Sequence, residues 1–269
     1  MEATHLKRWI TGIIVVPALV AIILLCPEFV FTLLITFLVL VGVYEYNGMV
    51  FQEKGGWEKT EGFVTGAVIP LAAYFGGVPL MFAAVVFAFH VFFLLFLARI
   101  RQHPMELSSL MKVVFGYMYI PLMMSFFILL RSMEQGIIWV IFIVVMTFSS
   151  DISAYYTGKY HGKRKLYPAV SAKKTVEGAL GSMVGTVAGA VLFKLIFFPE
   201  LPLLHSLVLG FMGGTLGQLG DLCASSIKRI SMVKDSGSFL PGHGGILDRL
   251  DSFIFIIPFV YFYAVLVIQ

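Results

Sequence analysis

Charge is scarce in this chain. Only 13% of its 269 residues are Asp, Glu, Lys or Arg, while 59% are hydrophobic. A soluble globular domain carries about 25% charged residues, so a mean hydropathy of +0.94 excludes that class. Cysteine is nearly absent. Cys26 and Cys223 both sit in apolar segments without metal-ligand spacing, which leaves a disulfide framework unsupported. The run G-x-x-x-x-G-K-[ST] does not occur, so there is no P-loop. The first apolar run lacks a small-residue cleavage site with a soluble domain behind it, and it reads as a retained anchor. The net charge of +4 would point to an anionic partner in a soluble protein; here its placement matters more, and no nucleic-acid partner is expected.

What is present is apolar length. Runs of 18 or more residues recur, each enough to cross about 30 Å of hydrocarbon as a helix. The expected spans are Trp9–Cys26, Phe29–Tyr46, Gly62–Phe75, Leu80–Ala98, Leu107–Leu130, Gly136–Gly158, Val176–Phe198, Leu203–Ser226 and Ile246–Gln269. The fold class is therefore all-α, a polytopic integral membrane protein of about nine transmembrane helices. The third span, interrupted by Pro70, is short for a crossing and has to tilt, borrow flanking residues or pack as a re-entrant piece.

With a cytoplasmic N-terminus, 16 of the 19 Lys and Arg fall on the cytoplasmic side and only Arg131 in an opposite loop. That asymmetry is the positive-inside pattern. The chain divides into scaffold helices (1–105), a connecting helix (106–135) and a polar-rich membrane region (136–269). In the scaffold, Glu45 reads as an interface residue at the end of the second span. Gly181, Gly185 and Gly189, then Gly210 with Gly214 and Gly213 with Gly217, predict close helix packing.

The stretch from Asp221 to Asp251 concentrates acids, bases and glycines between two apolar segments. Asp151 and Asp221 lie inside spans with no basic neighbour one turn away. An unpaired carboxylate there costs at least about 2.5 kcal/mol, so each needs a cation or a basic partner such as a loop lysine. Asp248 and Asp251 share a face at the start of the last span, behind Pro241-Gly242-His243-Gly244-Gly245. Glycines and a helix N-terminus suit phosphate, whereas aspartates repel it; Mg²⁺ between carboxylate and phosphate resolves the conflict. Lys228, Arg229, Lys234 and Arg249 are candidate phosphate ligands, with ordinary positive-inside residues as the alternative. His243 is a candidate phosphate donor or turn cap. The basic loop Lys159–Gly178 suits a nucleotide or a lipid headgroup, and Ser171, Lys174, Thr175, Glu177 and Gly178 read as a phosphate-binding turn entering a helix.

These positions resemble the phosphatidate cytidylyltransferase family, the CDP-diacylglycerol synthases. The resemblance runs through Ser226, Lys228, Arg229, Lys234, Asp235, Pro241, His243, Gly244, Gly245, Asp248, Arg249 and Asp251. A second region carries it through Asp151, Ala154, Tyr155, Gly158, Ser171, Lys174, Thr175, Glu177 and Gly178, with Ala172 where the family often has Pro. It implies transfer of CMP from CTP to phosphatidic acid with release of pyrophosphate, and a homodimer in the cytoplasmic membrane (the inner one, in a bacterium) whose active site faces the cytoplasm. It also implies Mg²⁺, with room for a second cation, held by Asp221 and Asp248. Asp251 and the basic residues with His243 would then serve catalysis, while Asp151, Tyr155, Ser171, Lys174, Thr175, Glu177, Gly244 and Gly245 would hold nucleotide or phosphate. A CTP-using lipid kinase and a cation-coupled transporter are the competing readings; inverted repeats, which transporters commonly show, are not visible.

Overall fold

In hydrocarbon every backbone N–H and C=O needs a partner within its own segment, so the apolar runs fold as helices. The computed structural model describes residues 17–51, 56–99, 107–239 and 244–268. Residues 17–25 are helical. The elements that follow are α1 (Glu28–Phe51), α2 (Trp57–Arg99), α3 (Leu107–Tyr117), a π-helical turn (Met118–Leu122), α4 (Met123–Arg131) and α5 (Gly136–His161). Then come β1 (Lys165–Tyr167), β2 (Ser171–Thr175), α6 (Val176–Phe197), α7 (Leu203–Ile230) and α8 (Leu247–Tyr263), which runs on as a π-helix to Ile268. Among the described residues seven helices are long and apolar enough to cross a membrane. The chain is an integral membrane protein.

Several boundaries differ from expectation. The first expected span, Trp9–Cys26, begins outside the described residues. The third and fourth lie in one element, α2, broken at Gly76 and Gly77, where Gly77 takes a φ of 62°. That left-handed value favours glycine, and the break falls between Phe75 and Leu80, where the two spans were expected to part. Helices α5 and α7 run past Gly158 and Ser226 to His161 and Ile230. Lys228 and Arg229 therefore stand in the last turn of α7, where the helix dipole favours cations. The all-α expectation also missed a hairpin: Val170 N donates to Tyr167 O at 3.2 Å, and Lys165 faces Thr175 across the ladder.

The chain forms two compact units. The first comprises Met1–Ser132 with Asp235–Asp248, the second Met133–Lys234 with Arg249–Gln269. The stretch expected to connect, 106–135, thus contributes α3 and α4 to the first unit, together with the turn ahead of α8. Its core includes Phe31, Ile35, Val39, Ile69, Met81, Ile120 and Met124.

In the second unit Phe142, Ile143, Met146, Phe193, Leu209, Ile254 and Ile257 are buried. Its packing follows the glycine spacing. A Cβ on Gly181, Gly185 or Gly189 would strike Thr157, Ser153 or Ser149 respectively, so two ladders of small residues, each four apart, mesh between α5 and α6. The buried hydroxyls of Ser150 and Ser182 bond at 2.6 Å across that contact. On α7, a Cβ at Gly210 would come within 2.8 Å of Val187 Cα, and one at Gly214 within 3.1 Å of Met183 Cα. One at Gly220 would strike the Asp251 carbonyl, which brings α7 and α8 together beside Asp221.

Candidate functional site

Close approach of α5, α6 and α7 leaves a cavity of about 350 Å³ within the second unit. From α5 it is lined by Ser150, Asp151, Tyr155 and Lys159; from β2 by Lys173, Lys174 and Thr175; from α7 by Gln218 and Asp221. Each side chain is delivered by a local cause. Asp151, Ala154, Tyr155 and Gly158 are three or four apart on one helix and so share a face. Thr175 is the N-cap of α6, its Oγ1 accepting from Gly178 N at 3.1 Å, as threonine commonly does before a helix. Glu177 accepts from Lys163 N at 3.0 Å and from Arg164 N at 3.2 Å, which ties the end of α5 to the start of α6. The hairpin then carries Lys173 and Lys174 over the opening.

Lys174 answers the demand of Asp221 for a partner. Its Nζ lies 2.6 Å from Asp221 Oδ2 and is itself out of contact with solvent. The loop-lysine ion pair, one of the two options left open by the sequence, is thus formed. Gln218 holds the neighbouring turn by donating Nε2 to Ala179 O at 2.9 Å.

Asp151, Tyr155, Lys174, Thr175 and Asp221, five of the expected site residues, share this cavity. Ser171, Glu177, Lys228, Arg229, Lys234, Arg249 and Asp251 are not among its lining residues. Arg229 is engaged elsewhere, its Nε donating to Val170 O at 3.2 Å and its Nη1 to Val233 O at 3.1 Å. It braces the hairpin turn against the end of α7. Asp251 is buried, with Oδ1 accepting from Ser252 N at 2.7 Å. Lys234 and Arg249 are exposed. Sequence reasoning missed the lining residues Ser150, Ser182, Gln218 and Ser252; polar groups inside apolar spans were the available signal.

In the first unit Asp248 sits at the start of α8. Its Oδ2 accepts from Ser236 N at 3.0 Å and from Gly245 N at 3.3 Å. Glu45 lies beside it in the fold, buried to 3% exposure. It accepts from Ile246 N at 3.0 Å, Leu247 N at 2.8 Å and Ser236 Oγ at 3.1 Å. These contacts bear on two expectations. Glu45 was expected as an interface residue at the end of its span; α1 continues beyond it to Phe51, and its carboxylate is engaged by the chain's own donors rather than left to solvent. At the helix start where Gly244 and Gly245 were expected to suit phosphate, the amides of Gly245, Ile246 and Leu247 are engaged by carboxylates. Gly244 has a φ of 85°, and His243 lies outside the described residues. Among the described residues no group of three or more His, Cys, Asp or Glu forms a metal-ligand set.

A family described as the cytidylyltransferase family matches residues 6–267 of the chain. The chain belongs to that family. Its relatives within and around the cytidylyltransferase family include "Phosphatidate cytidylyltransferase" of Bacillus subtilis (strain 168), 43% identical over 151 residues, covering 56% of each chain. The protein of the same name in Staphylococcus saprophyticus is 37% identical over 152 residues, 56% of this chain and 55% of the other. "Uncharacterized protein YnbB" of Escherichia coli (strain K12) is 42% identical over 134 residues, 50% of this chain and 44% of the other. In these matches the chain spans about half the length of its curated relatives. The cavity wall carries three lysines, two aspartates and a tyrosine: cationic donors suit phosphate oxygens, whereas the carboxylates need a cation between themselves and any phosphate.

Proposed function

We propose that this chain transfers CMP from CTP to phosphatidic acid, giving CDP-diacylglycerol and pyrophosphate. The observation that carries the reading is the cavity in which Lys159, Lys173 and Lys174 stand beside Asp151 and Asp221, in a chain similar to proteins named for this activity. The nucleophile is a phosphomonoester already ionised near neutral pH, so a strong general base is not required. The barrier is the meeting of two polyanions, and lowering it is a matter of placement and charge neutralisation. Lys159, Lys173 and Lys174 neutralise phosphate oxygens, and Tyr155 flanks the nucleotide. Phosphatidic acid keeps its tails in the bilayer and brings its headgroup to this wall.

Asp221 and Asp248 are the proposed Mg²⁺ ligands. Their donor chemistry fits a hard cation, which commonly takes one or two carboxylates together with substrate phosphates. Asp221 now has the Lys174 ammonium as its counter-ion, so an exchangeable positive charge already sits at that oxygen. Bound there, Mg²⁺ would supply charge stabilisation at the transferring phosphoryl group. The nine-span topology with a cytoplasmic N-terminus, the site on the cytoplasmic face and a homodimer belong to the same proposal.

The test is product analysis. Purified protein, CTP labelled at its α-phosphate, phosphatidic acid and Mg²⁺ should yield labelled CDP-lipid and release pyrophosphate. A phosphorylated lipid with CDP as the second product would instead make the protein a lipid kinase. Nucleotide-independent cation-coupled uptake would make it a transporter.

A further inference from the structure

The carboxylate of Glu45 has no role in the chemistry above, yet it is among the most deeply buried charged groups described. It sits within the apolar helix α1, where an uncompensated charge is costly. Among the described residues no Lys or Arg forms an ion pair with it. Its compensation comes from three hydrogen bonds, all from the segment that carries Asp248. Oε1 takes the Ile246 amide at 3.0 Å; Oε2 takes the Leu247 amide at 2.8 Å and the Ser236 hydroxyl at 3.1 Å. These amides open α8, where the helix dipole favours an anion.

Asp248 is held by the next link of the same arrangement. Its Oδ2 takes the amides of Ser236 and Gly245. Ser236 therefore serves both carboxylates, through its hydroxyl to Glu45 and its amide to Asp248. Three consecutive amides, of residues 245, 246 and 247, are shared out between the two acids. The fit is tight: a Cβ at Gly237 would come within 2.5 Å of Glu45 Oε1, and one at Gly245 would strike Ser236 Oγ and come within 2.5 Å of Glu45 Oε2. Glycine at these two positions lets the backbone close around the carboxylate.

We propose that Glu45 is a positioning residue for Asp248: an internal anion that takes the amides at the start of α8 and, through Ser236, sets the orientation of the Asp248 carboxylate. Its consequence for turnover rests on the nucleotidyl-transfer reading above, while its effect on the backbone can be read without any activity.

The test compares the full-length wild type with Glu45→Gln and Glu45→Asp in detergent, at a temperature where all three are folded. Glu45→Gln replaces one acceptor oxygen with a donor that faces an N–H. Amide hydrogen exchange of the peptide covering 244–250 should accelerate by about tenfold or more, the equivalent of one lost hydrogen bond. In the same preparations kcat should fall about 10- to 100-fold, as for residues that orient metal-binding carboxylates, with the KM for CTP little changed. The Mg²⁺ concentration giving half-maximal rate should rise. Glu45→Asp, which keeps the charge one methylene shorter, should recover part of both losses. Unchanged exchange in Glu45→Gln overturns the proposal. So does faster exchange accompanied by wild-type kcat and Mg²⁺ dependence, which would leave Glu45 a purely structural cap. Should the wild type form no CDP-lipid, the functional reading fails on its own, and the exchange comparison decides whether Glu45 holds the turn.

Discussion

Asp221 and Asp248 are the same residue type in opposite kinds of environment. Asp221, in the second unit, faces a cavity and is balanced by one flexible side chain, the ammonium of Lys174 at 2.6 Å. Asp248, in the first unit, is held by two backbone amides at 3.0 and 3.3 Å, with the buried Glu45 taking the amides that follow. A lysine can swing away, whereas a main-chain amide in a packed turn cannot. The contrast separates an acid whose partner can be exchanged during turnover from one whose orientation is set by the fold. Both are proposed to be indispensable for activity, and only one should matter greatly for stability.

The sharpest way to break this comparison is to delete each carboxylate. Asp221→Ala and Asp248→Ala should each reduce CDP-lipid formation by about 1,000-fold, the upper end for loss of one electrostatic contact to the reacting group. Their thermal midpoints should diverge. Asp248→Ala strands the amides of Ser236 and Gly245, at about 1–3 kcal/mol for a buried donor left unmet, and should melt several degrees lower. Asp221→Ala should lose less, because the Lys174 ammonium, buried in the pair, can turn into the adjoining cavity. Equal melting losses, measured by differential scanning fluorimetry in detergent, would erase the distinction.

Lys174→Met sharpens the same point from the other partner. It should lower kcat/KM for CTP by about 100-fold, while leaving the melting point within a few degrees of the wild type. Were Lys174 only a structural counter-ion, the variant would instead lose stability and keep its kinetics. Steady-state rates at several CTP concentrations, beside a melting curve, separate the two outcomes.

How much of this could be read from the sequence follows from how local each cause is. The apolar helices were legible because apolar length dictates them, although the third and fourth expected spans share α2 and the fifth is divided between α3 and α4; the α5–α6 contact was legible because Gly181, Gly185 and Gly189 repeat every four residues. The shared placement of Asp151, Tyr155, Lys174, Thr175 and Asp221 was legible too, as polar groups at the ends of neighbouring spans. Glu45 was not. Its partner Ile246 lies 201 residues away, and only the tertiary pairing of α1 with the turn before α8 brings them together. The β1–β2 hairpin escaped because three- and five-residue strands around Pro168 carry too little periodicity. The contacts of Arg229 with the carbonyls of Val170 and Val233 were not legible either, because residue type does not say which acceptor a guanidinium meets.

The smallest expected effect comes from Ser236→Ala, which tests whether the Asp248 environment is held by backbone or by side chains. The substitution removes the hydroxyl that donates to Glu45 Oε2 but keeps the amide that donates to Asp248 Oδ2. Glu45 retains the amides of Ile246 and Leu247, so the loss should be one hydrogen bond to a charged acceptor, about 1.5–3 kcal/mol at most. If main-chain amides dominate, Ser236→Ala should melt lower than the wild type yet keep more turnover than Glu45→Gln, and its Mg²⁺ dependence should stay close to normal. Loss of turnover as deep as that of Glu45→Gln would mean that the hydroxyl, rather than the amides at the start of α8, fixes Asp248. The contrast with Asp221 would then narrow to two acids that each depend on a single side chain.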